Sequence, residues 1–179
     1  MTGSGFYTRP QWLTDEHIAH PYMTLADGSV VDAVRNLDKG SPRPYEPGKN
    51  PGRSFIDAPG DGGFATAPDL VRFAHALRDG TVLDRHYADL FTGAKIPHTP
   101  QTEGFRAAPA NMSFEAYGLP VAIVNGQWTW TRGGGAPGIG ANWTIYPDTD
   151  WVGVILGNID EVPLQEMAEQ ETQAVTGQD

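Results

Sequence analysis

Between residues 117 and 157 the chain alternates extended runs with turn signals, at a spacing that few architectures satisfy. Asn125-Gly126 separates residues 117–124 from 127–133. Asn and Gly both tolerate the positive φ that a two-residue hairpin turn demands. Pro147-Asp148-Thr149-Asp150 separates 141–146 from 151–157 in the same way. Connections this short cannot carry the crossover that parallel neighbours need. The spacing therefore predicts antiparallel strands at 117–124, 127–133, 141–146 and 151–157. The last of these, Trp151-Val-Gly-Val-Ile-Leu156, has no polar position. It reads as a central strand covered on both faces.

Within this region the stretch from Trp128 to Trp151 starts rich in Trp and Thr, then empties of side chains at Gly133, Gly134 and Gly135. Backbone without Cβ atoms can be approached closely, and its N–H groups can point into open space. We read the three glycines as the edge of a binding cleft, with Arg132 beside them as a fixed positive charge. A bulge or turn explains the same residues without a ligand. A phosphate cradle would need the Lys-Ser/Thr pair and following helix of a P-loop, and neither follows.

The remaining chain supplies helices and loop. Thr66-Ala67-Pro68-Asp69 is a helix start: Thr66 as N-cap, Pro68 in the first turn and Asp69 at the capping-box position. Leu70, Phe73, Ala74 and Leu77 then form one apolar stripe, and Gly80 closes the helix. A second short helix is expected after Asp84 with Tyr87, Leu90 and Phe91 inward, followed by loop over 92–115. A last helix over 163–175, with Leu164, Met167, Ala168, Glu171 and Val175 at helical spacing, should cover one sheet face. In residues 1–60 repeated prolines, from Pro10 and Pro21 to Pro51 and Pro59, preclude long elements. Phe6, Tyr7, Trp12, Tyr22, Tyr45 and Phe55 argue for an ordered loop layer rather than a disordered tail. The fold class is α+β, an antiparallel sheet flanked by helices. It reads as one domain: a loop-rich layer at 1–60, a helical segment at 61–115, and strands plus a C-terminal helix at 116–179.

Charge and composition narrow the functions. Twelve basic against 22 acidic residues give a net charge of −10, which disfavours nucleic acid as a partner. Cysteine is absent, so thiol chemistry and Cys-ligated metal are excluded. The first residues lack the basic start and apolar run of a signal peptide, and no apolar run approaches the roughly 18 residues of a membrane span. His17 and His20 are spaced like metal ligands, but no carboxylate set accompanies them, and satisfied or surface histidines fit better. His75 reads as helix-flank structure, and Asp148 and Asp150 as turn residues rather than calcium ligands. The tryptophans Trp128, Trp130, Trp143 and Trp151 read as core, with alternate positions able to line a cleft. No metal or cofactor is expected.

Five segments, taken together, resemble one family. Gly62-Gly63-Phe64-Ala65-Thr66-Ala67-Pro68-Asp69-Leu70-Val71-Arg72-Phe73 resembles the "GGLxSTAxDLxRF" segment of serine β-lactamase-like hydrolases, a group that includes class C β-lactamases, D-alanyl-D-alanine carboxypeptidases and esterases. Arg132-Gly133-Gly134-Gly135-Ala136-Pro137-Gly138 looks like their third motif, "HGGGxPG" or "KTG". Tyr117-Gly118-Leu119 matches "YGLG", the run from Trp151 to Asn158 matches "GxGVVVLxN", and Met1 to Phe6 resembles "LGMxxTGF". The resemblance covers nearly the whole chain in order and implies the C-terminal portion of the β-lactamase/transpeptidase-like fold.

That family works by acyl transfer through a serine ester, using a Ser-x-x-Lys and a Tyr-x-Asn motif that both precede the "LGMxxTGF" stretch. Ser4, Ser29, Ser41, Ser54 and Ser113 are followed three residues on by Tyr7, Asp32, Pro44, Asp57 and Ala116. None of the six tyrosines begins Tyr-x-Asn. The sequence thus looks like the C-terminal part of such an enzyme, and we expect no catalytic nucleophile or base in it. By position the resemblance makes the N–H of Gly135 an oxyanion donor, and Arg132, Gly133 and Gly134 substrate-binding. Arg132 stands where the family has His or Lys. It cannot serve as a base near neutral pH, which leaves it to hold a carboxylate or shape the field. Expected partners are a small-molecule acyl substrate when the fold is complete, and a separate N-terminal segment or further copies of the chain. A non-catalytic binding module derived from the same fold is the competing expectation. A stand-alone esterase using Ser54 or Ser113 is a third.

Overall fold

The computed structural model describes residues 1–25, 27–36, 62–97, 112–160 and 162–177. Expectations placed on Ser41, Tyr45, Ser54, Phe55 and the prolines around them fall outside the described residues. Among the described residues, no helix is long and apolar enough to cross a membrane.

One six-stranded sheet dominates. Its strands are β5 (Ile96–Pro97), β6 (Met112–Glu115), β7 (Val121–Val124), β8 (Gln127–Ala136), β9 (Ile139–Tyr146) and β10 (Trp151–Gly157), hydrogen-bonded in the order β10-β9-β8-β7-β6-β5. This is a meander in which every strand neighbours its predecessor. Asn125 (φ 51°) and Gly126 (φ 80°) make the β7–β8 turn, and the register runs from Val124↔Gln127 to Val121↔Trp130. Numbering the short strands β1 (Gly5–Phe6), β2 (Tyr22–Thr24), β3 (Val30–Asp32) and β4 (Gly63–Phe64) completes the β set. Among the described residues, four helices accompany them: α1 (Arg9–Thr14), α2 (Ala67–Arg78), α3 (Arg85–Thr92) and α4 (Leu164–Thr176).

The chain divides into two compact units, and each has its own core. The second comprises Leu70–Gly133, Asn142–Val154 and Gln165–Asp179. Ala74 and Leu77 of α2 pack with Leu119, Trp143 and Ile145, and Leu70, Phe73, Phe91, Trp130 and Val154 close around them. The predicted stripe on α2 is therefore the face that it buries. Arg78, in the last turn of α2, donates to the Asp150 carboxylate and to the Pro147 carbonyl (3.1 Å), fastening the helix to the β9–β10 turn. From α4, Glu171 reaches the hydroxyl of fully buried Tyr146, which donates to its carboxylate at 2.9 Å.

The first unit comprises Met1–Asp69, Gly134–Ala141 and Ile155–Leu164. Trp12, Ile18 and Val34 form its core, with Tyr7 and Phe64 against them. The Trp12 and Phe64 rings meet edge to face at 5.0 Å, and the Trp12 indole N–H donates to Ala19 O at 2.8 Å. Strand β1 pairs with β4 and β2 with β3, both antiparallel. His20 spans this unit: one ring nitrogen lies 2.7 Å from Asp32 Oδ2 and the other 2.8 Å from Trp12 O. Burial alone would raise the Asp32 pKa, but the His20 contact and the N–H groups of Arg35 and Val34 outweigh it and hold the carboxyl below its ordinary value.

Several expectations need correction. The strand expected over 117–124 begins at Val121, because Pro120 has no N–H to give the ladder and Gly118 lies tight against the Phe91 ring. The loop expected over 92–115 contains β5 and β6. Strand β10, read as central, is the edge of the sheet. On α3, Tyr87 and Leu90 face solvent while Ala88 and Thr92 are buried. Met167 and Trp151 are likewise exposed rather than core.

Burial and, after it, the Glu171 carboxylate push the Tyr146 pKa up to about 12. The folded chain therefore keeps a proton that the unfolded chain releases near pH 10, so this contribution is complete below pH 10 and is lost as pH rises toward 12. Denaturant unfolding across that alkaline window should show a steeper loss of stability for the native chain than for Tyr146→Phe. Equal slopes would contradict the assignment.

Candidate functional site

Strand β8 carries the candidate site at its far end. Its pairing to β7 stops at Trp130, after which the Thr131 N–H donates to Pro120 O at 3.0 Å. Past that point the strand continues for five residues, from Arg132 to Ala136, with no β7 partner among the described residues. Arg132, Gly133, Gly134 and Gly135 are all exposed. A Cβ on Gly134 would meet nothing within 4 Å, while one on Gly135 would lie 3.1 Å from Ile139 O. Arg132 makes no hydrogen bond or ion pair with the described residues and carries its fixed positive charge at the surface.

The turn that follows the glycines is clamped. Gly138 takes φ 73°, and a Cβ there would stand 2.8 Å from both Pro21 Cβ and the Tyr22 nitrogen, so no side chain fits. Its N–H donates to Asp160 Oδ1 at 2.6 Å, and the Thr24 N–H donates to Asp160 Oδ2 at 2.8 Å. Around this carboxylate the Asp160 N–H donates to Tyr22 O (2.9 Å), and the Tyr22 N–H to Asn158 O (2.8 Å). A single side chain thus ties the turn to β2. Asp160 was not singled out in the sequence: its two partners lie 136 and 22 residues away, and no local pattern marks such a residue.

Three serines, Ser4, Ser29 and Ser113, lie among the described residues. Ser4 Oγ donates to Asp69 Oδ2 at 2.8 Å, and the same carboxylate accepts from the N–H groups of Thr2 (3.2 Å) and Gly3 (2.7 Å). Thr66 Oγ1 accepts from the Asp69 N–H at 3.3 Å, as an N-cap should. The Asp69 carboxylate, however, leaves the capping box to hold residues 2–4, and the Thr66 N–H turns to Ser4 Oγ at 3.3 Å. These bonds hold Ser4 and the N-terminal residues against the start of α2. Ser29 Oγ donates to Asp27, and Ser113 lies exposed on β6 without a hydroxyl partner among the described residues. Lys95 sits over the Tyr117 ring. His20 is engaged by Asp32 and Trp12, and no cluster of three His, Asp or Glu groups suited to a metal occurs among the described residues.

The first unit also holds a cavity of about 380 Å³, walled mainly by Trp12, Pro21, Phe64, Ile139 and Leu156. Its lining is largely apolar, and Asn158 brings one amide to it.

A meander sheet with flanking helices and a glycine-ended strand defines the class, and comparison with known proteins supplies the family. The Beta-lactamase family model matches residues 7–176, so the chain belongs to the β-lactamase family. Among solved structures it is similar to a penicillin-binding protein from Bacillus halodurans (TM-score 0.67, 18% identity), covering 94% of this chain and 44% of that one. It is also similar to an octameric penicillin-binding protein homologue from Pyrococcus abyssi (TM-score 0.70, 16% identity), covering 98% of this chain and 34% of that one. The chain spans less than half the length of these structures. No curated protein matches it.

Asp160→Ala should strand the Thr24 and Gly138 N–H groups and cost about 2 kcal/mol or more, the scale for bonds to a charged acceptor. Hydrogen exchange should quicken at those two amides first. Unchanged protection at both would show that the turn holds without the clamp.

Proposed function

We propose that this chain is the acyl-binding part of a β-lactamase-like serine hydrolase, and that it catalyses only with a polypeptide supplying the Ser-x-x-Lys and Tyr-x-Asn motifs. The observation that carries the proposal is the open end of β8 in a chain of this family. Where an antiparallel hairpin closes on a two-residue turn, successive residues point their backbone groups alternately toward and away from the partner strand. A two-residue turn closed by Ala136 and Ile139 as a hydrogen-bonded pair would direct the Gly135 N–H away from β9, and on this reading that group serves the acyl site.

In the assembled enzyme the roles divide as follows. A serine hydroxyl of the other segment, deprotonated by its lysine, attacks the acyl carbonyl. Negative charge develops on the carbonyl oxygen, and the Gly135 N–H meets it as one oxyanion donor. Gly133 and Gly134 let the acyl group lie against bare backbone, and Arg132 holds a substrate carboxylate. β-Lactams, D-alanyl peptides and simple esters all fit this chemistry. The competing reading, a non-catalytic binding module, is favoured by Arg132 in place of His or Lys. Assembly with further copies, as in the octameric relative, is compatible with either.

The test is reconstitution. Purified chain is combined with the segment encoded upstream in its own gene, and turnover of a chromogenic cephalosporin and a nitrophenyl ester is followed. Turnover only in the mixture supports the hydrolase. Binding of both segments without turnover supports the binding module. Gly135→Pro removes the donor and should lower turnover by ~10²-fold or more. Undiminished turnover would remove Gly135 from the mechanism.

A further inference from the structure

Both ring nitrogens of His20 face acceptors. Nδ1 lies 2.7 Å from Asp32 Oδ2, and Nε2 lies 2.8 Å from Trp12 O. A carbonyl oxygen has no proton to give. The other Asp32 oxygen accepts from the N–H groups of Val34 (2.9 Å) and Arg35 (3.2 Å), which favours the ionised carboxylate. A neutral imidazole donates one N–H, whereas an imidazolium donates two. Both contacts are therefore hydrogen bonds only when the ring carries both protons. The His20 and Asp32 side chains are 11% and 15% exposed, so little water is at hand to replace a lost bond.

The ring closes the end of α1. The last carbonyls of a helix have no N–H partner within it, and a histidine can supply one. Trp12 O is such a carbonyl, and Trp12 itself is fully buried. Its ring meets the His20 ring edge to face at 5.9 Å, and its indole N–H is spent on Ala19 O, next to His20 in the chain. The His20 carbonyl in turn accepts from Asn158 Nδ2 at 3.1 Å. Trp12, Ala19, Pro21 and Asn158 all line the 380 Å³ cavity, so the residues that His20 holds in place form part of its wall.

We infer that His20 is a proton-operated latch: as the imidazolium it ties the end of α1 to β3, and on losing one proton it releases the Trp12 carbonyl and the cavity wall beside it. The charged groups around the ring set which bond survives. Asp32 faces Nδ1, and the Arg35 Nε stands 3.5 Å from the same carboxylate oxygen, while α1 presents a carbonyl and an indole to the ring. The Nδ1–H bond to a carboxylate is charge-assisted and is kept. Nε2 then turns a lone pair toward Trp12 O, and a buried carbonyl loses its donor. The contribution of the latch is complete on the acid side and is lost as pH rises. This inference does not rest on the reading under Proposed function.

The test is made on the full native chain by nitrogen-15 NMR of the histidine rings, with hydrogen exchange of the indole N–H groups, across about pH 5 to 8, where imidazoles ordinarily change charge. At the acid end both His20 nitrogens should carry protons, and at the alkaline end Nδ1 alone. Over the same step the protection of the Trp12 indole should fall by about 10-fold or more. That of Trp143, in the core of the second unit, should stay constant. A His20 ring with an unchanged number of protons across the range would overturn the latch. So would Trp12 protection that does not follow the ring. His20→Gln has no ring proton to lose and should hold Trp12 protection level with pH. A step of native size in that variant would assign the effect to another group and overturn the inference.

Discussion

Every backbone N–H and C=O in a strand must find a partner or water, and this requirement decides where the sheet is closed and where it is open. Strand β7 stops giving partners to β8 at Pro120, which can accept from Thr131 but has nothing to donate. The last five residues of β8 then run on with one side unpaired among the described residues, and three of them are glycine. Strand β10 repeats the situation at the sheet's edge, this time with apolar side chains rather than none. Both open backbones belong to the same meander.

An open backbone is useful only if it is held still. The Pro137–Gly138 turn sits on Asp160, and through Tyr22 and Asn158 the same network reaches β2. Asp69 performs a comparable service for residues 2–4, trading its capping-box bond for three longer-range ones. In both cases a carboxylate that looks local in sequence is spent on backbone far away, which stiffens loops otherwise free to move. Binding elements of this kind lose little entropy when a ligand arrives.

Much of this was legible from the residues. The Asn125-Gly126 turn, the α2 stripe and the order of motifs located the hairpins, the helix and the family, because each depends on neighbours in sequence. What stayed hidden depends on neighbours in space. Strand β10 read as central because an apolar run records that both faces meet other groups, and says nothing about which edge is paired. Tyr87 and Leu90 of α3 looked inward because eight residues give too short a period to fix a face, and Ala88 and Thr92 are buried there instead. Asp160 gave no signal at all, since its chemistry is two hydrogen bonds across the fold. The candidate site residues Arg132 to Gly135 were found through a motif, and that they lie exposed, beyond the last rung of β7, could come only from the pairing.

We propose that binding groups and covalent chemistry are separated, with only the former on this chain. Ser4 is held by Asp69, Ser29 by Asp27, and no serine of the five is followed at helical spacing by any of the three lysines. The most direct measurement is the intact mass of the purified chain after prolonged exposure to a fluorophosphonate and, separately, to a penicillin. The account predicts an unmodified mass in both cases. A single stoichiometric adduct mapped to a serine would contradict it, because it would show that this chain activates a nucleophile of its own.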